Sequence, residues 1–401
     1  MPQHTKVRAR AGFTLLEMMV SLTVGGIALG SIYAVGAAST RHFREQQRIS
    51  TAQTSLRSAM TTLKHDFQRA GYMSTPDSRR LGQACASPAW AENGWIGAVN
   101  GYAKNVNKPT KLDPDELMKD VKDPRDQTEF FSVDDVWLTG NYATSGEYAN
   151  ISVDPDGTTI RIPMGWQSFQ RDFSEWTGTD AGNCNQVIFR SVFVADRMVR
   201  LHAQNGMYFY ARVASAACAG AATGVATVTL QDPVPNQCNM DGGWIAPVNT
   251  LLYRVVNADA NAGEDDNQGR TTVLRRLEVR PESRETPLVA TVGADQVRVE
   301  DRSLLDYVVR FKVDFLMMLN DQRVDNRISH VPMTQLEWQN TPQRIRGAII
   351  DVAVRTPYQE VDFTQDVSRA AFKLYQGTGA ARVRRMRAEL LLPNLANRNL
   401  L

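Results

Sequence analysis

The chain opens with two hydrophobic patterns in series. From Met18 to Ala38 no charged residue occurs, while the preceding stretch carries Lys6, Arg8, Arg10 and then a single carboxylate, Glu17. A helix over that uncharged run is long enough to cross most of a bilayer. Beyond it, apolar or small residues recur at Phe43, Ile49, Ala52, Leu56, Ala59, Met60, Leu63, Phe67 and Ala70, with Arg, Gln, Ser, Thr and Lys between them. Steps of three and four predict an amphipathic helix with one buried stripe. No proline interrupts residues 13–70, and Gly71 supplies a C′ stop. One continuous helix over that span would measure about 85 Å at 1.5 Å per residue.

After Gly71 the period changes. Residues 74–128 are rich in Pro, Asp, Asn, Lys and Gly and predict long loops or an irregular insertion. Short β-type runs follow at 133–139, 158–162, 187–195, 207–213, 225–230, 251–257, 271–279, 296–300, 307–318, 348–355 and 383–392. Asp156-Gly157 between two of them is a hairpin signal. The run from Val309 to Phe315 alternates as a strand with one buried face does. The fold class these patterns predict is α+β: an N-terminal helix packed on antiparallel sheet. Whether the β-rich part is one lobe or two stays open.

Glu17 decides between three readings of the first forty residues. A carboxylate in lipid costs about 2.5–3.5 kcal/mol or more at a helix centre. A cleaved secretory signal would use Lys6, Arg8 and Arg10 as its basic region and the small residues at 34–38 as its cut point. Its apolar run is too long for that. A plain anchor fits the length and leaves Glu17 unexplained.

The third reading accounts for every part. Gly12-Phe13-Thr14-Leu15-Leu16-Glu17, basic before and apolar after, resembles the prepilin-type signal of type IV pilins and of type II secretion pseudopilins. The resemblance implies a cut by prepilin peptidase between Gly12 and Phe13, methylation of the new Phe13 amine, and retention of the apolar helix. It also implies that Glu17 is an assembly contact, paired with the terminal ammonium of a neighbouring subunit. Pairing would offset the desolvation of two ions that are each penalised alone. Many major pilins have a proline midway along this helix; here Ala34 stands there, and Gly25, Gly26, Gly30 and Gly36 offer softness or close packing instead.

The run Leu63–Tyr72, ending Arg69-Ala70-Gly71-Tyr72, is similar to the helix end of PilW-type minor pilins. On that resemblance the chain divides into a leader (1–12), a membrane and filament-core helix (13–38), an amphipathic continuation (39–71) and a β-rich head (72–401). The implied function is that of a non-enzymatic minor pilin, working with other minor pilins, the major pilin and prepilin peptidase. It would wait in the inner membrane with its head in the periplasm, prime pilus assembly, and sit at the tip. A large head fits a tip better than a shaft, where neighbouring heads would crowd. The J-type pseudopilin shares the same start but its chains are generally shorter. A third class is a DNA-binding or adhesive head carried by the pilus.

Composition narrows the rest. About 389 of the 401 residues would follow the cut, enough for one large or two modest lobes. Hydrophobic residues make up 43%, which supports a core beyond the anchor, and a net charge of +2 steers the chain towards neither nucleic acid nor anionic lipid. Cys85, Cys184, Cys218 and Cys238 all follow the anchor. In an exported head they predict two disulfides, with three connectivities possible, the preference being Cys218 with Cys238 and Cys85 with Cys184; four buried thiols are the alternative.

No cofactor, metal or small-molecule substrate is expected. Asp259–Asp266 clusters oxygen ligands but lacks EF-hand spacing and reads as a solvated hairpin tip. Arg382, Arg384, Arg385 and Arg387 would divide between two faces of a strand, which suits solvated surface or subunit contact better than nucleic acid. Asp134-Asp135 reads as a strand edge. The five histidines show no metal-ligand spacing, and no catalytic motif occurs.

Overall fold

A computed structural model describes residues 14–75, 85, 90, 97–103, 132–174, 184–218, 224–257, 272–283, 286–292, 295–321, 324–333, 341–357 and 381–396. One α-helix runs without a break from Leu15 to Arg69. Residues up to Gln53 form one unit and residues from Thr54 onward a second, compact one. Within the second unit Leu56, Ala59, Met60, Leu63 and Phe67 are buried, the same stripe that the spacing predicts. Burying each of the larger side chains contributes roughly 1.5–3 kcal/mol. The stripe is shorter than its pattern, since Phe43 is 67% exposed.

The helix stops where glycine permits it. Gly71 has φ +76°, a conformation that disfavours any side chain, and its N–H donates to Thr139 O at 2.8 Å. Gly140 completes the seat: a Cβ there would lie 2.8 Å from Arg69 O.

Seventeen strands follow among the described residues. In chain order they are β1 (Val99–Ala103), β2 (Ser132–Gly140), β3 (Tyr148–Ala149), β4 (Ser152–Val153), β5 (Thr159–Pro163) and β6 (Met198–His202). Next come β7 (Tyr208–Cys218), β8 (Val225–Leu230), β9 (Trp244–Asn257), β10 (Thr272–Val279), β11 (Val289–Val292) and β12 (Asp295–Arg298). The last are β13 (Asp301–Asp306), β14 (Val308–Asp321), β15 (Val324–Pro332), β16 (Ile345–Arg355) and β17 (Val383–Leu391). Fifteen belong to one sheet with the path β17-β16-β14-β2-β9-β6-β7-β8-β5-β4; β1, β3, β10, β13 and β15 branch from it, and β11 pairs β12 separately. The pairing is antiparallel except for β2 with β14, which run parallel over only two residue pairs, Arg310↔Ser132 and Phe311↔Val133.

That short ladder changes the reading of Asp134-Asp135. Both are buried inside the sheet rather than placed at an edge. The Asp134 carboxylate takes the Val313 N–H at 2.9 Å, two residues beyond the last β2–β14 pair, so a side chain replaces the missing backbone acceptor. Lys312 Nζ lies 3.5 Å from its other oxygen. Asp135 accepts from Arg254 Nε at 3.0 Å across to β9.

The run 187–195, expected as a strand, is mostly helix: Gln186–Val192 is α-helical, capped by Asn185, whose side chain accepts from Ile188 N. Its apolar residues meet those of a second short helix, Gln167–Phe173, in an aromatic cluster. Phe169–Phe173, Phe173–Phe189 and Phe189–Phe193 have ring centroids 4.9, 5.1 and 4.9 Å apart. The Asp156-Gly157 hairpin forms as expected between β4 and β5, with Gly157 at φ +70°.

All four cysteines are bridged, with a connectivity other than the one preferred from sequence. Cys85 joins Cys238 and Cys184 joins Cys218, at Cα separations of 5.8 and 6.1 Å. The reason is spatial. Cys85, Cys218 and Cys238 belong to the core around the Phe cluster and Cys184 packs against it, so proximity in that core overrides proximity in the chain.

Candidate functional site

The N-terminal helix presents its apolar residues outward. Leu15, Leu22 and Tyr33 are 79%, 74% and 80% exposed, and most of their apolar neighbours are similarly bare. It is the helix long and apolar enough to cross a membrane among the described residues. Its polar residues are arranged to suit such a setting. Thr23, Ser31 and Thr40 each donate their hydroxyl to a carbonyl of the preceding turn, Val20 O, Ile27 O and Gly36 O, at 2.9 Å. Their donors are thus satisfied within the helix, as a hydrocarbon environment requires. Gly25, Gly26, Gly30 and Gly36 have open space where a Cβ would stand, and the helix stays regular through all four.

Glu17 closes the first turn. The Thr14 N–H and hydroxyl both donate to its Oε2, at 3.0 and 3.1 Å, while the Glu17 N–H donates back to the Thr14 hydroxyl at 3.3 Å. This is a capping box, and it places the carboxylate against the positive end of the helix dipole. Sequence reading singled out Glu17 for its cost in lipid and did not find this local partner, although Thr-x-x-Glu is its signature. Gly12 and Phe13 lie outside the described residues, as do residues 259–266.

The other end of the helix is held by buried charge that sequence reading missed. Asp66, on the buried face, accepts from Arg276 Nε of β10 at 2.6 Å and from the Tyr253 hydroxyl of β9. Arg276 continues to Glu300, and the Tyr142 hydroxyl donates to Asp66 O at 3.0 Å. Burial pushes the Tyr253 and Tyr142 phenols well above the ordinary range, with the Asp66 charge adding to it. Burial opposes the Arg276 charge, but Tyr253 and Asp66 outweigh it and hold its pKa above the ordinary arginine value. A second buried pair, Arg197 and Glu278, is bidentate at 2.7 Å for both bonds.

The arginines near the C-terminus divide as expected. Arg385 and Arg387 share a face of β17, and Arg385 reaches Asp351 on β16 at 2.6 Å, where Arg310 also donates. Arg384 lies on the alternate face and Arg382 precedes the strand. Among the described residues the histidines do not converge: His65 meets Asp66 and His330 meets Asp314, at 3.3 and 2.9 Å.

Comparison with known proteins agrees with the N-terminal segment. The family described as the prokaryotic N-terminal methylation motif matches residues 7–33. No curated protein matches the chain. Among solved structures, a type IV-like pilin from Thermus thermophilus is 10% identical, covering 53% of this chain and 93% of its own, with a TM-score of 0.17, too low to carry an argument about the head. Residues 7–33 hold the methylation motif, the exposed uncharged helix continues from it, and a β-rich head follows: the chain carries a prepilin-type N-terminal segment on a long helix joined to a mostly antiparallel β head.

Proposed function

We propose that the chain is a minor pilin, which joins a complex of minor pilins that primes a type IV pilus and stays at the tip. The observation that carries this reading is the pairing of a prepilin-type segment with a head far larger than a filament core needs. Cleavage after Gly12 would free the Phe13 amine while leaving the anchor attached. Glu17 would then meet a neighbour's ammonium as the helix leaves lipid for the filament, which exchanges one costly burial for a paired one. The protein would wait in the inner membrane with its head in the periplasm, the compartment in which its two disulfides persist. Prepilin peptidase, other minor pilins and the major pilin are its partners, and it catalyses no reaction.

Two substitutions test this reading. Gly12→Val should leave a precursor of unprocessed size, and normal processing would overturn the cleavage claim. Glu17→Ala should yield processed protein that fails to support surface pili. Normal pili in that strain, together with a secretion defect, would move the chain to the type II secretion system instead.

A further inference from the structure

The helix turn that follows the apolar run carries a second, cationic feature. Arg41, Arg44 and Arg48 are all exposed and recur at steps of three and four. At 3.6 residues per turn they fall within about 60° of one another around the helix. Glu45 is the one carboxylate between residues 39 and 53 and lies on the neighbouring strip, so this segment keeps an excess of two positive charges. Arg41 begins three residues after Ala38, where the uncharged run ends. That run is roughly 30 Å of helix, the thickness of a bilayer's hydrocarbon core. Two exposed aromatics, Tyr33 and Phe43, bracket the same level, the placement that aromatic residues adopt at a membrane surface.

We propose that Arg41, Arg44 and Arg48 form a collar that binds the phosphates of anionic phospholipids at the end of the span away from Glu17, and so fixes how deep the stored helix sits. The inference rests on the membrane-stored state proposed above. Guanidinium groups match phosphate oxygens in two-point hydrogen bonds, and flexible stems let them reach the headgroup layer from the helix surface. Basic residues beside a span are attracted to anionic lipid in this way. The occupant is lipid because the cations abut the span and share one face.

The test uses the full chain with its disulfides intact, carrying a spin label through Ser39→Cys, in vesicles of phosphatidylcholine with or without phosphatidylglycerol. Label depth is read by power saturation. With phosphatidylglycerol, the R41Q/R44Q/R48Q variant should sink by about one helical turn, ~5 Å, relative to the unsubstituted chain. In phosphatidylcholine alone the two should coincide, and added inorganic phosphate should not separate them. Equal depths in the anionic vesicles, or the same displacement in both, would overturn the collar. A chain released by alkaline carbonate would overturn the membrane storage and the collar with it; a retained chain with an unmoved label would overturn the collar alone.

Discussion

Asp66, on the last turns of the N-terminal helix, and Arg276, on β10, are joined at 2.6 Å although 210 residues separate them in the chain. Each is nearly buried, and each also engages Tyr253. Removing one partner from a buried pair typically costs about 3–5 kcal/mol, because the other charge stays behind in low dielectric. Asp66→Ala should therefore lower the unfolding free energy by about 3 kcal/mol in a urea titration of the full chain in detergent. A loss below about 1 kcal/mol would show that Glu300 alone satisfies Arg276.

Burial pushes the Asp134 carboxyl up to about 6, against the pull of Lys312, with Asp314 adding to the rise. The native state then holds a proton that the unfolded chain has released, so stability falls as pH rises from about 4 to about 6 and levels off above. The effect is on the order of 2–3 kcal/mol. Asp134→Asn keeps an acceptor for the Val313 N–H and should remove this slope, leaving the variant more stable than the unsubstituted chain at pH 7–8. Asp351 and Asp232 have lowered values and act at lower pH, so the difference between the two proteins isolates Asp134.

The two disulfides close chain segments of unequal length, with separations of 153 and 34 residues. In the chain-entropy picture the longer closure stabilises more, by about 1 kcal/mol. C85S/C238S should thus lower the melting temperature more than C184S/C218S. Peptide mapping without reduction should recover Cys85 linked to Cys238. Recovery of Cys218 linked to Cys238 would contradict the bridge pattern.

Gly140→Ala would place a methyl group 2.8 Å from the Arg69 carbonyl. Neither side can yield without disturbing the Gly71–Thr139 hydrogen bond. A destabilisation of about 1–3 kcal/mol is expected, as for other overpacked sites, and faster amide exchange at Gly71 would locate it.

How much of this was legible in the sequence depended on whether the signal was local. The Leu56–Phe67 stripe and the Gly71 stop are local, and both stand. The 187–195 run is apolar enough for either a strand or a helix. The Phe189, Val192 and Phe193 spacing, together with the Asn185 cap, carried the helix, but a short run does not reveal its period by hydrophobicity alone. Asp66 reads as one more polar residue in a helix until Arg276 arrives from far along the chain. The cysteine pairing is likewise set by which strands meet in the core. At Glu17 two local signals overlap, the cost of a carboxylate in lipid and the Thr14 cap three residues before it, and the capping contacts are the ones the structure shows.

The position of the first bridge has a mechanical consequence. Force entering through the helix meets no covalent cross-link before Cys85, because both disulfides enclose chain between Cys85 and Cys238. The load falls first on the seat at Asp66, Gly71 and Gly140, held by packing, hydrogen bonds and one ion pair. That seat is the first set of contacts such a load meets, while β1 to β8 remain tied into a closed covalent loop.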